Sequence, residues 1–233
     1  MKTIRCHQIN DDISTVSLDE IDIAPPGAGE VQIRVMACSV NFPDVLMIQG
    51  KYQFAPPLPF APGGEFAGEI VAVGPDVDQF KVGDRAVAGT RYGGFSELVN
   101  AEEQAVKPVP PGISFEKAAA YQTAYLTAYV ALTIRGSLKA GETLLVHGAT
   151  GGVGLAAVDL GKHLGATVIA TGGTDEKLAV VKARGADHVI NYTLPDDSLG
   201  GFREKVKGLT DGLGADVVFD PVGGSVFDES MRC

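Results

Sequence analysis

The residues whose spacing carries the most chemistry lie between Thr143 and Gly154, in the run TLLVHGATGGVG. An apolar stretch, Leu144 to Val146, ends in a cluster of small residues, and a helical pattern resumes through Val153, Ala157, Leu160 and Leu164. That is a strand, a tight turn and a helix. The turn resembles the dinucleotide-binding spacing G-x-G-x-x-G, with Ala149 in the first place, then Gly151 and Gly154. Ala149 permits the tight turn, Gly151 lets backbone N–H groups approach a pyrophosphate, and Gly154 lets helix and strand pack closely. Gly152 and Val153 fall at the helix start, where unpaired N–H groups and the helix dipole favour negative charge. Glycine-rich turns also occur without a ligand, and the elements that follow the motif raise its weight.

Other reactive side chains are more isolated. Asp44 and Glu65 could do acid and base work as a pair, but their settings, NFPD and PGGEFAG, do not place them in one pocket, and structural roles are expected. His7, His147, His163 and His188 lack the paired spacings of metal sites. His147 ends the strand before the glycine turn; a packed or solvated ring is expected, with cofactor contact as the alternative, and the other three read as surface residues. Cys6, Cys38 and Cys233 are too few and scattered for a disulfide framework, and there is no C-x-x-C. They read as buried or incidental thiols in a reducing cytosol.

The elements that must position these residues fall into two textures. Up to about Pro108, short alternating runs such as Glu30 to Met36 and Gly68 to Val73 sit between Pro and Gly clusters, the pattern of a mainly β domain, a partly closed barrel or sandwich. Ser114 is a candidate N-cap for a helix running through AAAYQTAYLTAYVAL to Arg135, where Gly136 stops it. Beyond the glycine turn, Ala166 to Ala170, Ala186 to Asn191 and Ala215 to Asp220 read as strands, with a helix from Lys177 to Arg184 closed by Gly185. The expected class is α/β, a β domain over residues 1–113 and a doubly wound parallel sheet within 114–233.

With 233 residues, 45% hydrophobic and 21% charged, the chain is globular rather than disordered. A net charge of −10 argues against a nucleic-acid partner. The N-terminus lacks an apolar signal core, and no stretch approaches the ~20 apolar residues of a membrane span, so a soluble, cytoplasmic protein without a membrane partner is expected. The second strand ends Ala170-Thr171-Gly172-Gly173-Thr174, with no acid where an NAD-specific fold holds the ribose hydroxyls. Asp175 and Glu176 suit instead the first turn of a helix capped by Thr174.

Several blocks together carry a resemblance: NFPDVLMIQGKY from Asn41, PLPFAPGGEFAGEIVAVG from Pro57, KVGDRAVAG from Lys81, GGFSELV from Gly93, then TAYVAL, GATGGVG and FDPVGG. In order and spacing the chain resembles the zinc-free quinone oxidoreductase branch of the medium-chain dehydrogenase/reductase superfamily. The resemblance implies a GroES-like catalytic domain before a Rossmann domain, with the cofactor between them. Zinc-dependent relatives carry a histidine where this chain has Gly64 and a cysteine downstream of Cys38, and they add a four-cysteine lobe that is absent here. A tetrahedral site needs three or four converging ligands, so no metal is expected.

The resemblance further implies NADPH, with Lys177 and Tyr192 holding the 2′-phosphate and Gly173 letting it approach. A solvated helix lysine and a strand-end tyrosine are the plain alternatives. Asn41, Tyr52 and Thr127 match positions lining the nicotinamide and substrate pocket. Tyr52 also matches a proton-donor tyrosine of 2-enoyl thioester reductases, so hydride transfer to a quinone and reduction of an activated double bond both stand, as does a loop tyrosine packed on the proline cluster. A crystallin-like NADPH-binding structural protein is a third reading. Members usually continue past the FDPVGG block with two further strands. The chain therefore reads as partial, and the homodimer expected for an intact member is not transferred to it.

Overall fold

In the computed structural model, residues 1–194 and 199–233 are described, and the chain divides into two units, Met1–Thr123 and Ala124–Cys233. In the first unit, β1 (Lys2–Arg5) and β2 (Ser17–Glu20) pair as an antiparallel ribbon. A five-stranded antiparallel sheet follows, from β3 (Glu30–Cys38), β4 (Glu65–Val73), β5 (Arg85–Gly89), β6 (Leu98–Glu102) and β7 (Val106–Pro108), in the order β6-β3-β4-β5-β7. The apolar alternation puts Val31, Ile33, Phe66 and Ile70 into one core face. Two register shifts between β3 and β4 curl the sheet. Gly68 is required there, since a Cβ would lie 1.9 Å from the Arg34 carbonyl oxygen.

Between β3 and β4, α1 (Phe42–Ile48) starts with Pro43 in its first turn, and Asp44 Oδ2 accepts the Asn41 N–H at 2.8 Å. Near the end of the unit, α2 (Phe115–Ala119) is capped by Ser114, whose Oγ accepts the Lys117 N–H at 3.3 Å, as the sequence indicates. This helix belongs to the β unit. Ala118 and Ala119 bury against Ala67, Val87 and Val109, and the Arg85 guanidinium covers the Phe115 ring at 4.4 Å. The division between units falls after Thr123.

The long helix expected from Ser114 to Arg135 is interrupted. Ala120 leaves helical geometry, and α3 (Gln122–Tyr129) starts afresh before widening into a π turn over Val130–Arg135. The buried Glu65 carboxylate accounts for the restart. Its Oε1 accepts the Gln122 N–H at 2.5 Å and its Oε2 the Thr123 N–H at 3.2 Å, taking donors that a continuous helix would spend on its own carbonyls.

The second unit is a four-stranded parallel sheet of β8 (Thr143–Val146), β9 (Thr167–Gly172), β10 (His188–Asn191) and β11 (Val217–Phe219). Its order, β10-β9-β8-β11, is the 3-2-1-4 arrangement of a doubly wound fold. The crossovers are α4 (Gly152–His163), α5 (Asp175–Ala183) and α6 (Arg203–Leu209), and α7 (Ser225–Ser230) follows β11. One core, on Leu144, Val146, Ala157 and Val168, lies under α4; another joins Leu145, Ile169, Ile190, Phe202 and Val226.

Candidate functional site

Two expected site residues, Asn41 and Tyr52, meet in the first unit on the wall of a cavity of about 520 Å³, with Asp44, Gln53, Phe54, Thr90, Arg91 and Thr123. Asn41 is fixed from below. Its Nδ2 donates to Ser39 Oγ at 2.8 Å, and Ser39 Oγ donates to Glu65 Oε2 at 3.2 Å, so the carboxylate that starts α3 also anchors the cavity amide. Asp44 is buried, with Oδ1 accepting the Gly63 N–H at 2.9 Å and Oδ2 the Asn41 N–H. The two carboxylates thus serve the backbone and have no free oxygen for acid or base work. Tyr52 is half-buried, packs on the cluster of Cys6, Met47, Ile48 and Phe60, and its hydroxyl has no hydrogen-bond partner among the described residues.

Cys38 lies beside this wall and is shielded. Its Sγ sits against Gly63 and Gly94, donates to the Glu65 carbonyl at 3.2 Å, and burial pushes the thiol up to about 12, reinforced by the Asp44 and Glu65 charges. No group of three His, Cys, Asp or Glu side chains converges as a metal set among the described residues.

In the second unit the glycine turn separates its roles clearly. Ala149 is fully buried and its N–H donates to the Thr171 carbonyl at 3.0 Å, so it shapes the turn from inside. At Gly154 a Cβ would lie 2.3 Å from the Gly148 oxygen and 2.8 Å from Ala149 Cα. At Gly151 it would meet only the Gly148 oxygen at 3.5 Å, and at Gly152 nothing within 4 Å. Gly151 is the N-cap of α4, and no side chain caps the helix among the described residues, which leaves the first N–H groups, those of Gly152 and Val153 included, without a side-chain partner.

Beside the turn, Gly172 packs on Thr150, where a Cβ would lie 2.8 Å from Thr150 Cγ2. Gly173 is half-exposed, its carbonyl accepting from Thr193 Oγ1 at 2.8 Å. Thr174 caps α5 through the Lys177 N–H at 3.4 Å, and the Lys177 side chain is exposed with no ion-pair partner among the described residues. Tyr192 follows the end of β10. It is 6% exposed, inside the core of Ile190 and Phe202, and burial raises its phenol against the lowering effect of the Gly148 backbone. Thr127 is exposed on α3.

His147 is the packed histidine. It is fully buried, with Nδ1 paired to Thr171 Oγ1 and Nε2 to Ser230 Oγ, both at 2.8 Å, and its ring lies 4.7 Å from that of Phe202. Burial lowers its pKa to about 4 against the pull of Asp220 and Glu229. His163 is exposed, His7 is exposed and paired with Asp19 at 2.7 Å, and His188 is half-buried rather than a surface residue. The cavity residue that sequence reasoning missed is Arg91, which stands in TRYGG with no motif to mark it.

Residues 27–111 match the family described as alcohol dehydrogenase GroES-like domain, and residues 152–233 that described as zinc-binding dehydrogenase. The chain is 37% identical to quinone oxidoreductase-like protein 2 homolog of Nematostella vectensis over 100% of its own length and 62% of that protein's. It is 38% identical to quinone oxidoreductase-like protein 2 of Mus musculus over 93% and 61%. It therefore spans about three fifths of these curated relatives. The solved Escherichia coli quinone oxidoreductase complexed with NADPH superposes with a TM-score of 0.89 at 34% identity, covering 100% of this chain and 70% of that one. The chain belongs to the quinone oxidoreductase branch of the medium-chain dehydrogenase/reductase superfamily.

Proposed function

We propose that the protein is a zinc-independent oxidoreductase that uses NADPH to reduce quinones or related conjugated carbonyl compounds. The observation that carries the reading is the turn before α4, where the helix start has no side-chain cap and Gly151 and Gly152 open on space that a Cβ would not fill against protein. Such a cradle suits a pyrophosphate. When bound, the reduced nicotinamide supplies a hydride. Exposed Lys177 is the residue for a 2′-phosphate, with Gly173 leaving room beside it, while buried Tyr192 backs the turn. The solved Escherichia coli quinone oxidoreductase is complexed with NADPH, which supports this choice.

On the acceptor side, Asn41 and Tyr52 line the cavity, and the chemistry asked of them is to orient the acceptor and hydrogen-bond the charge that develops on its oxygen. Cys38 is held as a protonated thiol, and Gly64 brings no side chain, so this wall offers no converging set for zinc. The Tyr52 hydroxyl, without a hydrogen-bond partner among the described residues, supports the second reading, proton delivery to carbon after hydride transfer to an enone or enoyl thioester.

A fluorescence titration with NADPH and NADH tests the cofactor assignment. Lys177→Ala is expected to weaken NADPH by about 10- to 100-fold, the worth of one charge-assisted contact, and to leave NADH within about 2-fold. Equal losses for the two would remove the clamp. Initial rates on paired acceptors test Tyr52. Tyr52→Phe is expected to lower kcat/KM for enones by about 100-fold, with quinones changing by less than about 5-fold; unchanged enone turnover would remove the proton-donor role. Tight NADPH binding with no oxidation by any quinone or enone would make the protein a binder rather than an enzyme.

A further inference from the structure

Arg91 is the single cation among the described residues lining the Asn41–Tyr52 cavity. Its guanidinium carbon lies 4.7 Å from the centroid of the Phe54 ring, and Phe54 is stacked on Tyr92 with centroids 6.1 Å apart and planes inclined by 23°. A guanidinium laid on an aromatic face is held in place through its plane while its N–H edge stays free for a planar anion. Arg91 has no carboxylate within ion-pair distance among the described residues, although acidic residues outnumber basic ones by 29 to 19 in this chain. The one carboxylate on the same wall, Asp44, has both oxygens occupied by backbone N–H groups. Asn41, Tyr52, Gln53 and Thr90 supply only neutral polar groups.

We propose that Arg91 is a specificity-determining residue that reads a carboxylate or phosphate on the acceptor, so that the cavity takes anionic conjugated carbonyl compounds in preference to neutral ones. This rests on the reading of the cavity as the acceptor site. A guanidinium edge binds both anions bidentately. Arg91 is exposed at the cavity rim, so the preference is modest, about 10-fold.

The test is calorimetric titration of the 233-residue chain with two matched pairs, without cofactor. One is 4-oxopent-2-enoate against 3-penten-2-one, which exchanges a carboxylate for a methyl group. The other is S-crotonyl-4′-phosphopantetheine against S-crotonyl-pantetheine, which removes only the phosphate. A preference of about 10-fold for the anionic member of either pair, lost in Arg91→Ala and partly kept in Arg91→Lys, supports the proposal, and the responding pair names the anion. Equal affinities within both pairs, a preference that survives Arg91→Ala, or no binding of any of the four overturns it. NADPH oxidation is followed in parallel. An Arg91-dependent preference without turnover would overturn the redox reading and leave the anion site standing.

Discussion

Gly154→Ala is expected to destabilise the unit from Ala124 to Cys233 by about 2 to 4 kcal/mol and to lower its melting temperature by about 10 °C or more. Alanine gains up to about 1 kcal/mol of helix propensity over glycine. Against this, its Cβ would enter the space of the Gly148 oxygen at 2.3 Å and the Ala149 α-carbon at 2.8 Å, and both are backbone atoms with no rotamer to yield. The matched control is Gly151→Ala. There the φ of −85° suits any residue and the Cβ meets one oxygen at ordinary contact distance, so stability should stay within about 1 kcal/mol of wild type. The same substitution fills the space assigned to the pyrophosphate and should weaken NADPH by about 10-fold or more. Thermal melts with and without NADPH separate the two outcomes. Equal melting temperatures for Gly154→Ala and wild type would show that the helix start can move away, and unchanged NADPH affinity in Gly151→Ala would place the phosphates elsewhere.

The second large effect is acid destabilisation through His147. Its pKa falls from an ordinary 6.5 to about 4 in the folded chain, so between those values the unfolded state binds more protons. The neutral ring contributes its full stability above pH 6.5, and this contribution is lost as pH falls toward 4, by about 2 kcal/mol at pH 5 and about 3 kcal/mol by pH 4. Urea unfolding at pH 7 and pH 5 measures the difference. His147→Gln should be less stable at pH 7, because Thr171 and Ser230 lose a partner fitted to both, and its stability should change less between the two pH values. An identical pH dependence in wild type and variant would assign the acid sensitivity to other groups.

The parts of this molecule that were legible in the sequence are those whose causes are local. The parallel sheet followed from apolar runs separated by helices, and Ser114 and Thr174 both cap the helices they precede. The parts that were not legible depend on distant partners. The break before α3 lies in a run that reads as one helix in the sequence, and it is imposed by a carboxylate 57 residues earlier in the chain. His147 stood beside a phosphate turn, and its burial is completed by Ser230, which is 83 residues away. Tyr192 closes a polar strand end in sequence yet turns into a core completed by Phe202. Arg91 carried no signal because its meaning comes from Phe54, a residue in another loop.

The shielding of Cys38 bears on the survival of the protein among its proposed acceptors. Quinones and enones are electrophiles that alkylate thiolates, and an ordinary cysteine is thiolate in roughly 3% of molecules at pH 7. A thiol held at about 12 is thiolate in roughly one molecule in 10⁵. Burial, reinforced by the Asp44 and Glu65 charges, therefore makes the cysteine beside the cavity wall chemically silent toward compounds that would otherwise label it. On the proposed reading of the cavity, the packing of Cys38 against Gly63 and Gly94 protects the protein from self-inactivation.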